Sequence, residues 1–159
     1  MTDIEYMKIA LELAKQAAEI DEVPVGAIVV KKSTGEIVGR GFNRRETDKN
    51  PLAHAEIAAI KQASETLGGW RLIDCEMYVT LEPCPMCCGA IINSRIERIV
   101  FGAFDHKSGS VESVVNMFEL PYNHKPEIIS GVMQEECSEL LSDFFTKLRN
   151  RRKKKKTLE

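Results

Sequence analysis

Apolar side chains recur with a helical period at Ile4, Met7, Ala10, Leu11, Ala14, Ala17 and Ala18, which predicts a helix over 3–20 with one face on a core. The period then shortens. Val23 to Lys31 is dense in Val and Ile and reads as a strand, Thr34-Gly35 as a hairpin turn, and Glu36 to Gly41 as the return strand. Asn43 follows, and Arg44, Arg45, Asp48, Asn50 and Pro51 make a polar loop. A second helix is predicted over 53–66, with His54 and Glu56 in its first turn. Ala55, Ala58, Ala59 and Ile60 would face the sheet, and Gly68-Gly69 would end the helix. Met77 to Leu81 is a short strand, 85–93 a third helix, Ile96 to Gly102 a strand and 111–119 a short helix. Glu127 to Ser130 and 133–152 complete the pattern as a fifth strand and a last helix. Strands alternating with helical crossovers imply a layered α/β domain with a partly parallel sheet.

Composition sharpens this in two places. At 159 residues, 43% hydrophobic and 29% charged, the chain suits one soluble domain with a sizeable core. No apolar run is long enough to cross a bilayer, so no membrane association is expected, and the acidic start Met1-Thr2-Asp3-Ile4-Glu5 is unlike a secretory signal. Five cysteines, an odd number, argue against a disulfide framework and for a reducing, cytoplasmic location. The net charge of −2 hides an asymmetry. Seven of the residues from Arg149 to Lys156 are cationic, which leaves −9 on the rest. The division expected is a folded domain over 1–150 and a basic tail over 151–159, read either as a solvated helix end or as contact with a polyanion.

Cys84 and Cys87 lie three apart after Pro83, so both thiols share a side if a helix starts there, and Pro85 suits such a start. A helix N-terminus also favours thiolate. His54 can supply a third ligand, with Glu56 beside the metal and not on it. Three protein ligands leave a tetrahedral zinc one position for water, the arrangement of a catalytic site. Zinc would lower the pKa of that water from ~16 toward ~7. Glu56 is placed to carry its proton to a leaving group, which suits hydrolytic deamination. His-x-Glu followed by Pro-Cys-x-x-Cys is the pattern of the zinc nucleobase deaminases.

Nearly the whole chain resembles the bacterial tRNA-specific adenosine deaminases of the cytidine/deoxycytidylate deaminase-like superfamily. The matching stretches include Glu22-Val23-Pro24-Val25-Gly26-Ala27, Ala53-His54-Ala55-Glu56-Ile57, Trp70-Arg71-Leu72, Tyr78 to Cys84, Val100-Phe101-Gly102-Ala103 and Leu141 through Phe145. The resemblance implies a three-layer α/β/α cytidine-deaminase-like fold with a five-stranded mixed sheet flanked by helices. It implies a homodimer with one zinc per subunit, and conversion of the wobble adenosine of a tRNA anticodon to inosine. It assigns His54, Cys84 and Cys87 to zinc, Glu56 to proton transfer and Asn43 to the substrate base. It places Asp105, Lys107, Asn123, His124, Phe144, Phe145 and Arg149 near the anticodon loop, some from a neighbouring subunit. Two stretches depart from the family pattern: Asn50-Pro51-Leu52, and Ser108 to Ser113, where Glu112 adds negative charge.

Residue type alone leaves other roles open. Asn43 could cap a turn, Asp105 and Lys107 could be an exposed pair, and Asn123 and His124 could shape a loop. At least one of Phe144 and Phe145 is a core residue by helical phase. Cys75, Cys88 and Cys137 suit the core. Two other functions fit the motifs less fully: a zinc-dependent deaminase of free guanine, cytosine or a nucleoside, and a non-catalytic zinc-stabilised RNA-binding module. The second has no use for a carboxylate at 56.

Overall fold

Helix α1 (Asp3–Glu19) opens with a capping box in which Thr2 and Glu5 satisfy each other's backbone N–H groups. In the computed structural model, which describes residues 1–158, α1 is followed by β1 (Gly26–Lys31) and β2 (Glu36–Phe42). Then come α2 (Ala55–Leu67), β3 (Cys75–Leu81), α3 (Pro85–Ser94), β4 (Arg98–Ala103), a single 3-10 turn (Met117–Glu119), β5 (Glu127–Ser130) and α4 (Gln134–Leu158). The sheet order is β2-β1-β3-β4-β5, with β1 antiparallel to β2 and β3, and β3, β4 and β5 mutually parallel.

Two apolar clusters lie on opposite faces of this sheet, and the two-residue side-chain period divides each strand between them. Ala27, Val29, Met77, Val79, Ile99 and Phe101 join Ala55, Ala59 and Ala63 of α2 and Cys88, Ile91 and Ile92 of α3. Ile28, Val30, Tyr78 and Val100 join Tyr6, Met7, Ala10 and Leu11 of α1 and Cys137 of α4. This is the expected three-layer α/β/α architecture with a five-stranded mixed sheet.

Several boundaries move for identifiable reasons. β1 starts at Gly26 and not at Val23, because Pro24 offers no N–H and Val25 donates to Val23 O at 2.9 Å. The helix expected over 111–119 shrinks to one 3-10 turn, because the N–H groups of Val111, Glu112 and Ser113 all point at the Glu82 carboxylate. In α1, Tyr6 and Leu13 are buried while Ile4 is exposed. In α2, Ala63 is buried in place of Ala58 and Ile60, which are half-buried. α4 runs unbroken past Asn150 to Leu158.

The register gathers the chain at one end of the sheet. Phe42 pairs with Gly26, Ala27 with Val79, and Leu81 with Ala103. The end of β2, the start of β1 and the ends of β3 and β4 therefore share an edge, where ligands of α/β sheets collect. α2 is seated tightly there. A methyl group at Gly41 would lie 2.3 Å from Ala55 O, and one at Gly39 would lie 2.1 Å from Ala59 O. Glycine at both positions lets the helix backbone rest on β2.

Candidate active site

His54 and Cys84 occupy the N-cap positions of α2 and α3. Each carbonyl accepts the first helical hydrogen bond, from Ala58 at 3.1 Å and from Cys88 at 2.9 Å. Neither side chain makes a capping bond, so both are free to turn toward each other. His54 is thus the residue before the helix, not a member of its first turn. Cys87 is the third residue of α3 after its cap, with Pro85 first. N-cap and N3 side chains face one another in capping boxes, and the same spacing here brings two thiols together.

His54 Nδ1 lies 3.7 Å from Cys84 Sγ and 3.6 Å from Cys87 Sγ. Zn–S bonds of about 2.3 Å and Zn–N bonds of about 2.0 Å at tetrahedral angles give donor separations of roughly 3.5–3.8 Å. The two His54–cysteine separations match edges of such a tetrahedron. All three ligand atoms lie within 4.8 Å of one another, and no fourth His, Cys, Asp or Glu of the described residues joins them. The five cysteines are free thiols. Two imidazole- or thiolate-bearing helix starts pointing at one spot also favour anionic sulfur. The Cys84 thiol falls to about 4, first through the Cys87 side chain, with His54 and the Cys87 N–H adding to it against burial. Cys87 moves the opposite way because it faces the Cys84 thiolate and is fully buried. The two sulfurs titrate as a pair, and a divalent cation would hold both as thiolates.

Glu56 is buried beside this cluster, at 4% exposure. Burial pushes its carboxyl above the ordinary range, partly offset by its own backbone N–H and by the His54 charge. An acid poised upward and set beside three clustered metal-ligating side chains has the placement a proton carrier needs.

The cluster opens on a cavity of about 170 Å³ lined by Val23, Val25, Asn43, Arg45, His54, Glu56, Leu81, Cys84, Asp105 and Ser108. Asn43 caps its turn and also faces the cavity. Its Oδ1 accepts the Arg45 N–H at 3.1 Å and its Nδ2 donates to Val23 O at 3.2 Å, and the side chain still lines the cavity. Asp105 likewise both caps and lines, accepting the N–H groups of Lys107 at 3.1 Å and Ser108 at 3.3 Å.

Lys107, Phe145 and Arg149 gather at an adjoining groove of about 370 Å³ between the 105–108 loop and α4. Phe144 does not join them. It is buried on the side of α4 facing Ala18 and Leu140, and its ring meets that of Phe145 edge-on at 5.4 Å. Successive helical side chains point ~100° apart, so one of the pair must turn inward. Nor do Asn123 and His124 reach the cavity of their own subunit. His124 Nε2 donates to Ile96 O at 2.6 Å, before β4 begins, and the site lies beyond the other end of β4, roughly 20 Å away at ~3.3 Å per residue.

Two acids overlooked in the sequence hold the cavity's loops. Glu82 is 2% exposed, and its carboxylate accepts N–H groups from Asp105 at 3.1 Å, Val111 at 3.1 Å, Glu112 at 2.8 Å and Ser113 at 2.9 Å, plus the Ser113 hydroxyl. Glu22, 1% exposed, accepts those of Glu46 at 3.1 Å and Thr47 at 2.7 Å. These bonds outweigh burial and keep both carboxyls below their ordinary range. The available signal for Glu82 was an acid between Leu81 and Pro83 at a strand end; Glu22, beside Asp21, had none. Arg45 and Ser108 had no signal beyond nearness in sequence to Asn43 and Asp105, and Val23 and Val25 only their place in the stretch Glu22 to Ala27.

The family model for the cytidine and deoxycytidylate deaminase zinc-binding region matches residues 1–103. The chain belongs to this family of zinc-binding deaminases. A tRNA-specific adenosine deaminase of Bacillus subtilis (strain 168) is 50% identical over 149 residues, 93% of this chain and 91% of the relative. A solved structure from studies of A-to-I editing by tRNA:A34 deaminases at the wobble position of transfer RNA has 45% identity and a TM-score of 0.82, covering 86% of this chain and 99% of that one. The guanine deaminase of Nitrosomonas europaea is more distant, at 26% identity and a TM-score of 0.75, covering 89% of this chain and 83% of that one. Within its family, the chain takes its place among the tRNA-specific adenosine deaminases.

Proposed function

We propose that this protein hydrolyses the 6-amino group of adenosine at the wobble position of a tRNA anticodon, giving inosine and ammonia. The observation that carries the reading is the buried, uncoordinated Glu56 beside three donors already at zinc spacing. Zinc held by His54, Cys84 and Cys87, one ion per subunit, would supply Lewis-acid activation of a water molecule. Glu56 accepts the proton of that water and delivers it to the purine ring nitrogen next to the attacked carbon. A second transfer through the same carboxyl reaches the amino nitrogen, which leaves as ammonia. Asn43 retains one amide hydrogen and one lone pair for the base, and Asp105 keeps its loop against the cavity.

The small cavity admits one base without its neighbours, so the target must leave its stack. An anticodon loop is already partly unpaired, which lowers a cost of a few kcal/mol. Phe145 offers an exposed ring for a flanking base, and Lys107 and Arg149 offer charge for phosphate. Phe144 supports that ring from beneath. Asn123 and His124 would reach RNA bound to a neighbouring subunit. Ile57 and Ile60 of α2, Trp70 of the loop after it and Ala90 of α3 form an apolar face that supports a homodimer. Among the described residues no helix is long and apolar enough to cross a membrane; a cytoplasmic location, where tRNA is found, is part of this proposal. The deaminase domain is assigned to 1–150 and a basic tail to 151–159, whose last residue lies outside the described residues.

The test is nucleoside analysis of tRNA incubated with the protein, beside parallel assays on free guanine, cytosine and nucleosides. Inosine at the wobble position is expected. Turnover of a free base with none on tRNA would move the assignment to the activity named for the Nitrosomonas europaea structure.

A further inference from the structure

The last turns of α4 carry the strongest charge in the molecule, and of it only Arg149 is used above. Seven cationic side chains fall between Arg149 and Lys156, on a continuous helix, and all are exposed. Among the described residues, Arg151 alone of the seven meets a carboxylate, Asp21 at 3.0 Å. The helix dipole would be satisfied by a cation or two in the final turn. Here Arg149 and Lys153, Arg151 and Lys155, and Arg152 and Lys156 are like-charged neighbours four apart, which weakens an isolated helix. Such self-repulsion is relieved by a dense polyanion.

Position says which one. The Arg151–Asp21 pair ties the start of the charged stretch to the turn that leads into Val23, a cavity-lining residue. Arg149 borders the groove it shares with Lys107 and Phe145. Basic charge therefore runs from the cavity's rim outward along α4, where a stem would continue from a loop held in the cavity.

We infer that Arg149–Lys156 is a rigid phosphate-binding arm for the double-stranded stem of the RNA whose loop is deaminated, an inference that rests on the tRNA reading above. About half of a helix's side chains can face one partner, so three or four phosphates are engaged. Each adds about −0.9 to the slope of log affinity against log salt concentration.

The experiment uses the full chain and a variant with Lys153, Lys154, Lys155 and Lys156 all changed to Gln, which keeps the Arg151–Asp21 pair and the helix. Equilibrium binding across a salt series is measured on the whole anticodon stem-loop and on the loop oligonucleotide alone, with single-turnover deamination at saturating RNA alongside. Expected are about tenfold weaker stem-loop binding at low salt and a salt slope shallower by roughly two, with loop binding and the saturated rate unchanged. Unchanged stem-loop binding and slope would overturn the arm. Equal losses on stem-loop and loop would place the charge on the loop and overturn the stem assignment. Lys-dependent binding to vesicles of anionic lipid, with stem-loop binding intact, would assign the arm to a membrane surface instead. Absence of inosine in every wild-type reaction defeats the tRNA reading itself, and the binding series still reports on the arm separately.

Discussion

Glu82 Oε1 accepts the backbone N–H of Asp105 at 3.1 Å, and Glu82 stands two residues before the candidate zinc ligand Cys84. One buried carboxylate therefore ties the loop that lines the cavity to the strand end that presents the metal donor. Glu82→Gln keeps the shape but replaces one acceptor oxygen with a donor facing N–H groups. We expect a loss of about 2–3 kcal/mol in stability, because hydrogen bonds to charged groups are the strong ones. KM for tRNA should rise more than kcat falls, with zinc content unchanged. Denaturant unfolding, metal analysis and steady-state kinetics check the three parts. Gly109→Ala should act similarly, since its methyl would lie 2.4 Å from Asp105 O and from the Glu82 carboxyl.

Glu56→Gln leaves the three donors in place and removes the proton carrier. Full zinc content with kcat lowered by at least 10²–10⁴-fold is the expected outcome. Zinc analysis together with a single-turnover assay decides it, and retained turnover would end the proposed role.

His54→Ala or Cys87→Ala removes one of three donors. Zinc should be lost on dialysis against a mild chelator that leaves the wild type loaded. Metal removal from the wild type should lower Tm, because binding to the folded state alone is linked to folding. Differential scanning calorimetry with and without added zinc measures both.

The adjacent rings should separate cleanly. Phe144→Ala opens a hole in a buried position and should cost about 2–4 kcal/mol of stability. Phe145→Ala, on a side chain 40% exposed, should leave stability within about 1 kcal/mol and raise KM for tRNA. Thermal unfolding and kinetics on the two variants make the comparison.

Acid sensitivity has one source far from the site. Arg98 pairs with Asp3 at 2.7 Å and with Glu76 at 3.2 Å, and Tyr78 donates its hydroxyl to both acids. The Arg98 hydrogen bond, then the Tyr78 hydroxyl and the Arg98 charge, hold the Asp3 carboxyl below its ordinary value against partial burial. A depressed carboxyl stabilises the fold above its unfolded value near ~3.9 and loses that contribution as pH falls through the lower folded value. Asp3→Asn should therefore cost about 1 kcal/mol at pH 7, a modest figure for a pair a third exposed, and almost nothing at pH 2. Urea unfolding at the two pH values reads it.

Much of this was legible in the linear chain because the information is local. The strands and helices follow from side-chain periods of two and 3.6, and the five strands and four long helices were all visible that way. The pairing of the two thiols was legible because Cys84 and Cys87 sit on one turn, a distance set by helix geometry alone. Which loops close the cavity depended on contacts between distant residues. Glu82 meets Val111 across 29 positions and Glu22 meets Thr47 across 25, pairings that no periodicity encodes. The inward turn of Phe144, the placing of His124 on Ile96 at the far end of β4 and the seating of α2 on Gly39 and Gly41 were likewise decided by packing. Spacing along a helix or strand is fixed by covalent geometry, whereas what lies opposite is chosen by burial and hydrogen-bond satisfaction across the whole fold.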